Sequence, residues 1–133
     1  MKIVASGYFD PIHIGHIEYL KLAKQLGGTL IVIVNNDKQA KIKKGFSFMN
    51  ENERLEIVKN IKYVDEVFLS IDEDSTVCKS LEKLKPDIFA KGGDRNSSNI
   101  PELEVCNKYN IKIVDGLGNK IQSSSDLISG VKK

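Results

Sequence analysis

Only two histidines occur in the chain, and both fall within the ten residues GYFDPIHIGH, Gly7 to His16, three positions apart. Two imidazoles at that spacing, just past an apolar run and at the start of a helical pattern, can point into one cleft. There they can donate hydrogen bonds to phosphate oxygens and stabilise charge growing on a transferring phosphorus. Gly7 lets a backbone approach a ligand closely, and the following helix N-terminus presents unpaired N–H groups and a positive dipole end. A cap or surface role for either histidine is the plainer alternative, and His-x-x-His with no third ligand is a weak zinc signal. Three further stretches are chemically conspicuous: the lysine-rich NNDKQAKIKKG with Lys38, Lys41, Lys43 and Lys44, the KGGDR of Lys91 to Arg95, and NKIQSSSD ending at Asp126. Taken singly they read as a solvated segment, a turn and an N-cap.

The elements that must position these residues alternate. Lys2–Ser6 is a short apolar strand stopped by Gly7, and Ile14–Leu26 is a helix with Ile17, Leu20, Ala23 and Leu26 on one side, ended by Gly27-Gly28. Leu30–Val34 (LIVIV) has the unbroken aliphatic character of a parallel strand covered on both faces. Residues 36–50 read as a long polar loop. A helix follows over Glu51–Ile61, with Asn50 as N-cap and Leu55, Ile57, Val58 and Ile61 as its apolar face. Then come a strand at Val67–Ile71, a helix at Thr76–Leu84 stopped before Pro86, and a strand at Asp87–Lys91. A helix from Pro101 to Tyr109, a strand at Ile111–Val114 and a short helix beginning within Ser123–Asp126 complete the order. This alternation predicts a three-layer α/β single domain, residues 1–133, around a parallel five-stranded sheet. Ligands in such sheets sit outside the carboxyl ends of the strands, and all four conspicuous stretches map to that edge.

Composition narrows the function classes. With 133 residues, 41% hydrophobic and 29% charged, the chain can bury a continuous core without disulfides or a structural metal. Twenty basic against eighteen acidic residues give +2, too near neutral for a chain built around a nucleic-acid backbone or an anionic membrane. Cys78 and Cys106 lack C-x-x-C spacing and a nearby histidine, so they read as unpaired thiols of a reducing compartment. No apolar run approaches the ~20 residues that span a bilayer, and Met1-Lys2 leads straight into a strand, so the expected location is cytoplasmic.

GYFDPIHIGH resembles the G-x-F-D-x-x-H-x-G-H motif of the cytidylyltransferase-like nucleotidylyltransferases, with Gly7, Phe9, Asp10, His13, Gly15 and His16 all in place. NNDKQAKIKKG is similar to the segment that brings a lysine to the phosphates, and ENERLEIVKNIKYVDEV to the family's E-x-R helix and V-D-E-V strand entry. KPDIFAKGGDR resembles a stretch of the bacterial heptose-phosphate adenylyltransferases, and QSSSDLI stands where the family has S-T-T or S-S-x. The resemblance implies a Rossmann-like fold. It also implies direct transfer of a nucleotidyl group from a nucleoside triphosphate to a phosphorylated small molecule, with Mg2+, no covalent intermediate and pyrophosphate released.

Carried onto this chain, the resemblance implies catalytic roles for His13 and His16 at the α-phosphate and for Lys44, or else Lys41 or Lys43, in neutralising phosphate charge. Gly7, Tyr8, Phe9 and Gly15 would line the nucleotide site; Gly92, Gly93 and Asp94 would approach base and ribose, and Ser123, Ser124 and Ser125 the outer phosphates. Asp10 would face the acceptor, while Arg54 would reach phosphate or lie salt-bridged on the surface. No metal ligands are assigned, and a homodimer through Tyr63, Val64 and Val67 is implied. The last motif has Gly118 where CTP-dependent glycerol 3-phosphate enzymes have arginine, which favours ATP and a sugar or polyol phosphate. A CTP-dependent cytidylyltransferase is the first alternative, and a nucleotide-binding module without catalysis the second.

Overall fold

In the computed structural model, residues 1–92 and 101–117 are described; Gly93, Asp94, Ser123, Ser124, Ser125 and the expected last helix lie outside them. Five parallel strands, β1 (Lys2–Gly7), β2 (Thr29–Val34), β3 (Glu66–Leu69), β4 (Ile88–Gly92) and β5 (Lys112–Leu117), form one sheet in the order β3-β2-β1-β4-β5. The connections carry α1 (Ile14–Lys24), α2 (Asp37–Lys44), α3 (Glu51–Lys59), α4 (Cys78–Leu84) and α5 (Leu103–Lys108). β2 is buried from Leu30 to Val34, as its unbroken aliphatic run requires. Strand alternation sends Ile3, Ala5, Leu30, Val32 and Val34 to one face, against Leu20, Ala23 and Val58. Val4, Ile31, Ile33 and Phe89 face the other way, against Val77, Leu81 and Cys106. The expected three-layer α/β architecture is therefore present. The two cysteines are free thiols, Cys106 buried and Cys78 half-buried.

One expected element is wrong. The polar loop over 36–50 contains α2, a two-turn helix with few apolar residues that buries the polar Gln39 together with Ala40. Its ends were encoded in polar residues. Asn36 accepts from Gln39 N at 2.8 Å while Gln39 Oε1 accepts from Asn36 N at 3.0 Å, a reciprocal N-terminal cap. Gly45 closes the other end at φ 84°, donating to Lys41 O. On α3 the buried positions are Arg54 and Val58, and Ile57 of the expected apolar face points outward.

Sheet order fixes where a ligand can sit. The connections from β1 run to β2 on one side, whereas β4 joins on the other, so the order reverses between β1 and β4 and leaves a crevice beyond their carboxyl ends. β1 and β2 pair along six residues, Lys2–Gly7 with Thr29–Val34. β1 and β4 pair only at Ile3, Val4 and Ala5 with Ile88, Phe89 and Ala90.

Candidate active site

Where β1 and β4 part, the Tyr19 side chain of α1 enters between them. Its hydroxyl donates to Ala90 O at 2.5 Å and accepts from Ser6 N at 3.1 Å, replacing the next rung of the ladder. Burial of the ring raises the phenol above its ordinary pKa, with the Ser6 hydrogen bond only partly opposing it. The ring also dictates a glycine: a Cβ at Gly92 would lie 2.9 Å from Tyr19 Cδ1. Gly7 has a matching reason, since a Cβ there would lie 2.9 Å from Phe9 Cζ. Phe9 has φ 52°, is fully buried, and meets the His16 ring edge-on at a centroid distance of 5.0 Å. The glycines expected to admit a ligand thus also admit the rings that shape the crevice.

The histidines form a capping box of their own. His13, the N-cap of α1, accepts from Gly15 N through Nδ1 at 3.1 Å, and His16 Nδ1 accepts from His13 N at 3.1 Å. His16 N also donates to His13 O at 3.0 Å, so the N–H groups of Gly15 and His16, expected to be open to an anion, are already engaged. A neutral imidazole that accepts at Nδ1 carries its proton on Nε2. Both rings are thereby set to donate from Nε2, and they lie 3.9 Å apart between centroids. Desolvation first, and the neighbouring His13 second, lower the His16 pKa to about 4, so His16 is neutral near pH 7.

Below this pair a polar net fixes the loop after β1. The Asp10 side chain, fully shielded, accepts from Lys44 Nζ at 2.8 Å, Phe48 N at 2.8 Å and Met49 N at 2.7 Å. Burial pushes its carboxyl pKa up, but these hydrogen bonds outweigh burial and hold it below the ordinary value. Arg54, at 1% exposure, donates to Tyr8 O (2.8 Å), Asn35 O (2.6 Å), Met49 O (2.9 Å) and Asp37 Oδ1 (2.7 Å). Neither expected placement of Arg54, at a phosphate or on the surface, is what the fold adopts. The guanidinium ties the ends of β1 and β2 to α2 and α3. Asp10 likewise binds loop backbone, with Lys44 as its ion-pair partner.

The crevice encloses about 360 Å³ and is lined by Gly7, Tyr8, His13, Gly15, His16, Lys43 and Gly92, together with Ser6, Tyr19, Asn35, Ser75, Val77, Lys91, Glu102 and Leu117. Of the three candidate loop lysines, Lys43 is on this lining, Lys44 is paired with Asp10 and Lys41 is exposed away from it. Lys43 Nζ stands 4.9 Å from the Tyr8 ring centroid. Ser75 and Glu102 were not foreseen, and Asn35 and Lys91 lie in the NNDKQAKIKKG and KGGDR stretches without an expected role of their own. Ser75 arrives on the segment after β3, which Gln39 Nε2 holds through Asp74 O (2.7 Å) and Thr76 O (2.8 Å). Hydrogen-bond donors from imidazole and ammonium groups therefore converge with a backbone turn at one end of the sheet, a setting for an anionic ligand.

Three comparisons extend this geometry. A family model described as cytidylyltransferase-like matches residues 4–124. The FAD synthase of Methanothermus fervidus is 38% identical over 98% of this chain and 94% of its own length. That of Thermoplasma volcanium is 32% identical over 100% and 92%. Among solved structures, one described as a lipopolysaccharide core biosynthesis protein of Thermoplasma volcanium superposes with a TM-score of 0.73 at 35% identity, covering 86% of this chain and 94% of that one.

Proposed function

The chain belongs to the cytidylyltransferase-like family of nucleotidyltransferases, and we propose that it is an adenylyltransferase joining ATP to FMN. FAD consists of FMN and AMP linked through two phosphates, so a relative named FAD synthase points to FMN as acceptor instead of the sugar or polyol phosphate expected from sequence. The observation that carries the reaction class is the pair of Nδ1-accepting histidines on the crevice wall at the β1/β4 switch point.

A phosphate oxygen of the acceptor attacks the α-phosphorus; the new P–O bond forms as the bond to the β-phosphate oxygen breaks, and pyrophosphate leaves. That nucleophile is an anion near neutral pH, so no strong base is needed, and catalysis is positioning plus charge stabilisation. His13 and His16 donate from Nε2 to the α-phosphate, and Lys43 offsets charge between the two anionic reactants. Lys44, through Asp10, holds the loop that sets the distance, and Arg54 holds the Tyr8 carbonyl. Mg2+ bound to the triphosphate would reduce its charge. The donors present fit that arrangement, since the imidazoles of His13 and His16 and the ammonium of Lys43 suit phosphate oxygens and Mg2+ commonly relies on substrate phosphates for its own ligands. Gly93, Asp94 and Ser123 to Ser125 complete the nucleotide site in this reading.

Cytoplasmic residence is part of the proposal; among the described residues no helix is long and apolar enough to cross a membrane. So is a homodimer, for which β3, an edge strand among the described residues, and half-buried Tyr63 offer a surface, whereas Val64 and Val67 already pack on the core.

The test is pyrophosphate release by purified protein with ATP or CTP crossed against FMN, sugar 1-phosphates and glycerol 3-phosphate, with FAD followed by chromatography. ATP with FMN is expected to be the fastest pair. Faster release with a sugar phosphate would favour the sugar or polyol phosphate acceptor expected from sequence, which the description of the solved Thermoplasma structure supports; faster release with CTP would overturn the adenylyl assignment.

A further inference from the structure

Beside the crevice lies a second chamber of about 340 Å³, lined by Tyr8, Ile42, Lys43, Ser75, Pro101 and Glu102. Tyr8, Lys43, Ser75 and Glu102 line both spaces, whereas Lys91, Gly92 and Leu117 line the crevice alone. The chamber thus leaves the crevice on the Tyr8 and Lys43 side, away from Gly92. Glu102 is the side chain there with an unexplained atom. It is 5% exposed; Oε2 accepts from Val77 N at 3.0 Å, one residue before α4, and Oε1 is buried with no hydrogen-bond partner among the described residues. Supporting the start of α4 accounts for Oε2 and leaves Oε1 over. A buried acceptor without a donor is costly, so a ligand that supplies one recovers what the described residues lack.

We infer that this chamber seats the ring system of the acceptor substrate, and that Glu102 Oε1 accepts a hydrogen bond from a ring N–H of that heterocycle. The inference rests on the FMN reading above. With the base and ribose at the Gly92 side, the acceptor enters from the other; Tyr8 offers an aromatic face and Ile42 an apolar wall, and Lys43 stands between the chamber and the reacting phosphates. The isoalloxazine ring carries one imide N–H, at N3, a donor of the kind a carboxylate oxygen needs. Glu102 is in this account a specificity residue, touching the acceptor away from the reacting atoms.

Glutamine at this position separates the two jobs of the side chain. It keeps one carbonyl oxygen for Val77 N and presents an amide NH2, a donor, where Oε1 stood. The experiment compares wild type and Glu102→Gln using FMN and N3-methyl-FMN as acceptors, with thermal unfolding of both proteins as a check on folding. Wild type is expected to turn over FMN with a kcat/KM at least tenfold above that for N3-methyl-FMN. Glu102→Gln should raise KM for FMN about 10- to 100-fold, leave KM for ATP within twofold, and lose the discrimination between the two acceptors. A variant that discriminates as wild type does, or one whose KM rises for ATP and not FMN, would overturn the inference and leave the FMN reading standing. Glu102→Asp, which retains both oxygens but retracts them, must show the same selective rise in FMN KM if Glu102→Gln does not fold. Failure of wild type to use FMN at all would instead remove the reading on which the inference stands.

Discussion

A histidine that accepts at Nδ1 from a backbone N–H serves structure and chemistry with opposite edges of one ring. In His16 this division is coupled to burial: the neutral form is favoured because the ring is desolvated and His13 is adjacent, bringing its pKa to about 4. An unfolded histidine titrates near 6.5, so between pH 6.5 and 4 the unfolded chain binds more protons than the folded one, and stability falls as pH drops through that window. The expected loss is about 2 kcal/mol, allowing for partial exposure of the ring. Denaturant titrations at pH 7, 5.5 and 4 should show it. His16→Gln should flatten that component, because glutamine at the third helical position can still complete the cap. The catalytic edge has a separate readout. His16→Ala is expected to lower kcat about 10²- to 10³-fold with ATP affinity changed only a few-fold, the pattern of a lost transition-state donor. An equal loss in ATP affinity and rate would assign the ring to ground-state binding instead.

At the scale of elements, the same physics explains what could and could not be read before the fold was known. β2 was legible because five successive aliphatic residues have no other stable place than the middle of a covered sheet. α2 was not, because its helical signal lies in Asn36, Gln39 and Gly45 and not in an apolar stripe. That omission blurred the lysines: in a helix adjacent residues diverge by about 100°, so Lys43 reaches the crevice lining while Lys44 turns to Asp10. Arg54 was misplaced for a related reason. Three of its four partners are carbonyls, of Tyr8, Asn35 and Met49, groups invisible in residue types and gathered only by the topology. Ser75 and Glu102 likewise belong to none of the conspicuous stretches, and Asn35 opens one that drew notice only for its lysines. Two substitutions test the joints between elements. Arg54→Lys keeps the charge but loses the planar fork, leaving buried carbonyls unpaired, and should cost about 2–4 kcal/mol. Gly92→Ala should cost about 1–3 kcal/mol by driving a methyl against the Tyr19 ring. Melting temperatures should fall in that order, and a neutral Gly92→Ala would mean that Tyr19 can withdraw from the seam.

For the molecule as a whole, the seam between β1 and β4 is where stability and function meet. On one side, β1, β2 and β3 form a continuous block, with six paired residues between β1 and β2 and four between β2 and β3. On the other, β4 pairs with β1 at only three residues, joined also by the Tyr19 hydroxyl and by Lys2 bonds to Leu84 and Asp87 at the far end, and the β4–β5 ladder itself shifts register between Ala90 and Gly92. The shorter pairing at the seam predicts that the β4–α5–β5 unit opens at lower free energy than the rest. The proposed nucleotide bridges that seam, with its α-phosphate on His13 and His16 beside β1 and its ribose near Gly92 of β4. A ligand that binds only the closed arrangement stabilises it by mass action, about 2.7 kcal/mol at a hundredfold excess over Kd. Amide hydrogen exchange with and without ATP and Mg2+ should therefore show protection rising most in Ile88–Gly92, Leu103–Lys108 and Lys112–Leu117, and least in Leu30–Val34, which is already the most deeply buried strand. Uniform slowing across all strands would mean that the sheet opens as one unit and that the seam has no separate motion. Slowing confined to β1 and β2 would place the nucleotide wholly on the histidine side and remove Gly92 from its contacts.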